Sequence, residues 1–132
     1  MYNGGTEPLQ VEMLAASLRA SYTDVKTFLE TLAFKFEGSL SSHTRVIRHK
    51  SLFLRERPVK EIIVTLGDYQ YRLSREQQGP LAAQRAHVVR GIVIGTEQLS
   101  VEQWINAIAE ALAQLSASST LDHAALLRFL QS

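Results

Sequence analysis

The stretch EIIVTLGDYQYRLSRE, residues 61–76, constrains this chain more than any other. Apolar residues alternate with polar ones on both sides of Gly67-Asp68, which is the pattern of two antiparallel strands joined by a two-residue turn. Glycine at the first central position suits a type II′ turn. That turn fixes the register. It pairs Leu66 with Tyr69, Val64 with Tyr71 and Ile62 with Leu73 on one buried face. Ile63, Thr65, Gln70 and Arg72 then lie on the other face, which is mostly polar. A sheet with one apolar face needs a second layer to cover it.

The rest of the chain supplies that layer. From Leu9 onward, Leu14, Leu18, Tyr22, Val25, Leu29, Leu32 and Phe36 recur at spacings of three and four, an amphipathic helical stripe that stops at Gly38. The period predicts one long helix over roughly residues 10–37, with a break near SYTD, capped by Ser21 or Thr23, as the alternative. A continuous helix would be about 42 Å long, longer than a small domain is wide. Its projecting apolar stripe would then need a second copy of the chain. Ser100 and Gln103 form a capping box ahead of Val101, Trp104, Ile105, Ile108, Leu112 and Leu115. A short last helix, LDHAALLRFL, follows SASS. Thr120 or a neighbouring serine is its expected cap.

Two further strands complete the sheet. TRVIRHKSLFLRE reads as an outer strand, with Pro58 at the corner before the hairpin. AHVVRGIVIGT is apolar at most positions and reads as one central strand, with Gly91 marking a bulge. The expected fold is therefore α+β. A long N-terminal helix leads to a four-stranded, mainly antiparallel sheet, and two C-terminal helices pack on one sheet face. Residues 1–8 read as a flexible lead-in and 9–132 as a single domain.

Composition narrows the function classes. There is no cysteine, which removes thiol catalysis, disulfides and thiolate metal sites and agrees with a cytoplasmic setting. The start, MYNGGTEPLQ, lacks the basic and apolar regions of a signal peptide, and no apolar run is long enough for a membrane span. Net charge is +1 but segregated: −2 over residues 1–42, +6 over 43–92 and −3 over 93–132. Within RVIRHKSLFLRERPVK, residues 45–60, six Lys or Arg accompany a single acid, Glu56.

No motif for nucleotide binding, zinc hydrolysis or a serine nucleophile is present. His43, His49, His87 and His123 are scattered, without ligand spacing. Glu97 and Glu102 fall near a helix start, where the helix dipole accounts for them. No cofactor, metal or catalytic set is expected.

Association is the favoured reading: a non-enzymatic interaction module, self-associating as a homodimer through its helices. Leu14, Leu18 and Tyr22 of the first helix and Phe129 and Leu130 of the last are the expected contact residues. A charged partner, such as an acidic protein, would meet Arg45, Arg48, Lys50, Arg55, Arg57 and Arg72. The alternative is nucleic-acid or other polyanion binding through the basic sheet regions 45–60 and 72–90. The strand period already divides that cluster, sending Arg45 and Arg48 to opposite sides.

Overall fold

A computed structural model describes residues 6–20, 24–50, 57–76, 79–117 and 123–131. Helices α1 (Thr6–Ala20) and α2 (Val25–Ser39) lead through a single 3₁₀ turn, Ser41–His43, into five strands. These are β1 (Thr44–Arg48), β2 (Val59–Leu66), β3 (Tyr69–Arg75), β4 (Leu81–Val89) and β5 (Ile92–Leu99). Helices α3 (Val101–Ala117) and α4 (His123–Gln131) follow. The sheet is an antiparallel meander in which every strand pairs with its sequence neighbours, in the order β1-β2-β3-β4-β5. The fold is α+β. No helix among the described residues is long and apolar enough to cross a membrane.

The central hairpin has the register expected of it: Leu66 faces Tyr69, Val64 faces Tyr71 and Ile62 faces Leu73. Gly67 has φ 62° while Asp68 stays out of the left-handed region, as a type II′ turn requires. Ile62, Val64, Leu66, Tyr71 and Leu73 are all buried beneath the helices.

Two expectations are corrected. The N-terminal stripe is divided between two helices, and α2 begins at its own cap. The Asp24 carboxylate accepts from the Thr27 amide through Oδ1 at 2.9 Å and from the Thr27 hydroxyl through Oδ2 at 2.9 Å. Those bonds hold its pKa below the usual aspartate value. Ser21 and Thr23, the expected caps, lie outside the described residues, as does Thr120.

The second correction concerns AHVVRGIVIGT, which forms two strands rather than one. Arg90 at φ 54° and Gly91 at φ 82° make a two-residue turn of the I′ kind. Gly91 is thus a turn residue, and the run forms the last hairpin of a five-stranded sheet. A bulge does occur nearby. His87 pairs with Gly95 and Val88 with Val93, so Ile94 has no partner on β4.

Helices α2 and α3 lie on the sheet, α1 packs on α3, and α4 packs on α2. Both C-terminal helices lie on one side of the sheet, as expected, α3 on the strands and α4 chiefly against α2. The core joins Phe28, Leu32 and Phe36 of α2 to Trp104, Ile108 and Leu112 of α3 over the apolar face of β2 and β3. Phe36 meets Phe129 of α4 with ring centroids 5.0 Å apart. The capping box of α3 closes reciprocally: the Gln103 amide donates to Ser100 Oγ at 3.0 Å, and the Ser100 amide to Gln103 Oε1 at 2.9 Å. Polar ties fix the helices to their neighbours. Arg19 of α1 bonds Glu102 of α3 at 2.7 Å. Glu30 of α2 accepts from the Val59 amide at 2.7 Å and from Arg48 at 3.2 Å, so one carboxylate holds both β1 and β2.

Lys35 of α2 is buried among α1, α2 and α4. Its ammonium donates to Ser17 Oγ at 3.1 Å and sits 5.4 Å from the centre of the Phe129 ring. Desolvation lowers its pKa from the ordinary 10.5. Near neutral pH the fold therefore carries the full cost of burying that charge. Between the lowered folded pKa and 10.5 the folded state has released a proton that the unfolded chain still holds, so this group adds stability as pH rises through that window. Urea unfolding tests this: Lys35→Met is expected to raise the midpoint near neutral pH, with its advantage over wild type shrinking in alkali. Phe129→Ala, which empties the contact with Phe36, is expected to cost about 3–5 kcal/mol in the same assay.

Candidate interaction surface

The residues expected to mediate self-association have mostly been used inside the chain. Leu14, Leu18 and Phe129 are each 0% exposed and belong to the core. Leu130 is partly buried against the same core, and Tyr22 lies outside the described residues. An amphipathic stripe identifies the face a helix buries, and here another helix of the same chain covers it. Among the described side chains, the large apolar ones that the helices leave outside are Met13, Phe34 and Leu127, one on each of α1, α2 and α4.

Of the six cations expected to serve a charged partner, the five among the described residues do not share one surface. Arg45 and Arg72 flank Ile63 on the sheet face away from the helices. Together with Ser42, His43, Thr65 and Gln70 they line a shallow cleft of about 260 Å³. Arg72 donates to Gln70 Oε1 at 2.8 Å, and its buried Nε has no hydrogen-bond partner. Arg48 lies past a register shift between Ile47 and itself, and it bonds Glu30 and the Arg57 carbonyl instead. Lys50 and Arg57 are exposed beyond the ends of β1 and β2. Arg55 lies outside the described residues.

The last hairpin forms the most exposed surface of the sheet. Every residue from Val89 to Gln98 is exposed, and Ile92, Val93 and Ile94 are 66%, 48% and 60% accessible. Of the β5 residues, only Leu99 packs against the core. On the helix side, the transverse row Val64–Tyr71–Arg85–Glu97 runs from the core to this edge. Arg85 pairs with Glu97 through Nε at 3.1 Å and lies 5.1 Å from the Tyr69 ring centre. Tyr69 in turn stacks on His87, centroids 4.7 Å apart. The Glu97 hydrogen bond raises the Arg85 pKa, and burial raises that of Tyr71. Beside this ladder, Ala107, Glu110, Ala111 and Gln114 of α3 form the other wall of a groove of about 370 Å³.

The two sheet edges differ in kind. β1 has five residues and exposed Arg45 and Arg48, features that discourage another strand from pairing. β5 has eight residues, and its one charge, Glu97, is already paired with Arg85. Sequence reading missed this edge because its apolar run resembled a buried strand. The only available signal was Arg90-Gly91, a weak form of the turn dipeptides that open a hairpin.

The chain matches no known protein family, no curated protein and no solved structure.

Because Leu18 is core, Leu18→Glu is expected to abolish cooperative thermal unfolding, as read by circular dichroism. A folded variant that melts like wild type would return Leu18 to the surface.

Proposed function

We propose that the chain is a protein–protein interaction module that binds rather than catalyses and docks its partner along the β5 edge. One observation carries this reading. A long strand with an apolar, fully exposed start lies at the side of the sheet, while the opposite edge carries its own protection. Exposed strands of this kind present unpaired backbone donors and acceptors, and a partner strand satisfies them by extending the sheet. The side chains of Ile92, Val93 and Ile94 add apolar area that water covers at a cost in the isolated chain. The cysteine-free composition agrees with work in the cytoplasm.

A second reading rests on the cleft between Arg45 and Arg72. Two guanidinium groups, one with an unpartnered Nε, suit an anion on the open sheet face. Of the five candidate cations among the described residues, these two line the cleft, so a long polyanion gains few contacts there.

Site-specific photo-crosslinking separates the two. With a benzophenone amino acid at position 94, a crosslinked adduct is expected in cells, and none with the same probe at the exposed Thr65 of the open face. Absence of any adduct at position 94 would remove the edge from consideration. Retention on heparin that Arg45→Glu with Arg72→Glu abolishes would favour the anion reading.

A further inference from the structure

We propose that the partner strand is β5 of a second copy of this chain, paired antiparallel about a two-fold axis so that two five-stranded sheets join into one. This inference rests on the edge reading above and specifies its occupant.

The backbone directions come from the ladder. The Val88 amide donates to the Asp68 carbonyl at 2.7 Å and therefore points toward β3. Antiparallel strands alternate the side to which successive residues bond. Ala86 and Gln84 point the same way as Val88, so their β5 partners, Thr96 and Gln98, direct their own backbone groups away from β4. Val93, opposite Val88, does the same. The outer edge thus presents Val93, Thr96 and Gln98 as free pairing positions.

The unpartnered Ile94 makes these positions self-complementary. Val93 and Thr96 are three residues apart and would face opposite sides of a regular strand. Their partners Val88 and Ala86 are two apart and share a face, so the bulge puts Val93 and Thr96 on one face as well. A two-fold axis perpendicular to the sheet keeps each face on its own side, and residues that pair across it must share a face. Val93 opposite Thr96 of the second copy meets that condition, as does Ile92 opposite Glu97. The axis then falls between Ile94 and Gly95, and the two bulges oppose each other without shifting the flanking pairs.

Charge agrees with this register. Each Glu97 lies across from an isoleucine rather than from the other Glu97, so no like charges meet at the junction. Stoichiometry follows from the edges. Each molecule has one unguarded edge, and an isologous contact through it closes at two copies. Growth through β1 would bring together the exposed Arg45 and Arg48 of both chains.

The test uses the purified full chain. Light scattering over a range of concentrations is expected to give twice 14.8 kDa, with slowed hydrogen exchange at the Val93 and Thr96 amides. Ile94→Lys, at an exposed position, is expected to return the mass to that of one chain while leaving the circular dichroism spectrum intact. The chain has no cysteine of its own, so Ile92→Cys with Glu97→Cys provides a register test. The double variant is expected to form a disulfide-linked dimer on mild oxidation, and neither single variant to do so as efficiently. A wild-type mass of one chain at every concentration would overturn the second-copy inference. The edge reading would stand if the position 94 probe then captured a different polypeptide. A dimer that Ile94→Lys leaves intact, with Val93 and Thr96 exchanging freely, would overturn both.

Discussion

The two-residue turn at Gly67-Asp68 is the constraint on which the rest of the structure depends. A type II′ turn allows one register between β2 and β3, and a slip of one residue would send Ile62, Val64, Tyr71 and Leu73 to solvent. Once that apolar face is set, α2 and α3 have a surface to cover, and α1 and α4 then pack on those two helices. Parity set at the turn is also carried outward strand by strand. It places Arg85 and His87 on the helix side and Gln84 and Ala86 on the open side, and it ends at the Ile94 bulge within β5.

Much of this was legible because the signals were redundant. Alternation and turn chemistry agreed over residues 61–76, and the Ser100–Gln103 box agreed with the apolar period of α3. The misreadings arose where one signal stood alone. AHVVRGIVIGT has apolar residues at too many consecutive positions for a period of two to show, and arginine is an unusual occupant of a left-handed turn position. The turn therefore read as the middle of a buried strand. The long-helix expectation had a related cause. The apolar stripe ran through SYTD without losing phase, and Asp24 drew no notice as a cap, since Ser21 and Thr23 stood nearby.

The candidate site was the least legible part for a physical reason. Burial is a property of the assembled fold, and an apolar helical stripe looks the same whether its cover belongs to the same chain or another. Leu14, Leu18 and Phe129 are covered from within, by α3 and by Phe36 of α2 among others. Exposed apolar residues at a sheet edge have the opposite signature, because they look buried in sequence and are accessible in the fold. The basic cluster, by contrast, divides as the strand period implies: Arg48, three residues from Arg45, faces the other side, where it bonds Glu30.

The meander has a kinetic consequence. Each strand pairs only with its neighbours in sequence, so every step of sheet assembly closes a short loop and costs little chain entropy. The connection between β2 and β3 and that between β4 and β5 are two residues each, which makes two local hairpins available before any helix docks. Topologies dominated by such local contacts fold quickly for their size. The packing of α1 onto α3 and of α4 onto α2 instead joins residues far apart in the sequence. Sheet pairing in this chain is thus local in sequence, and helix packing is not.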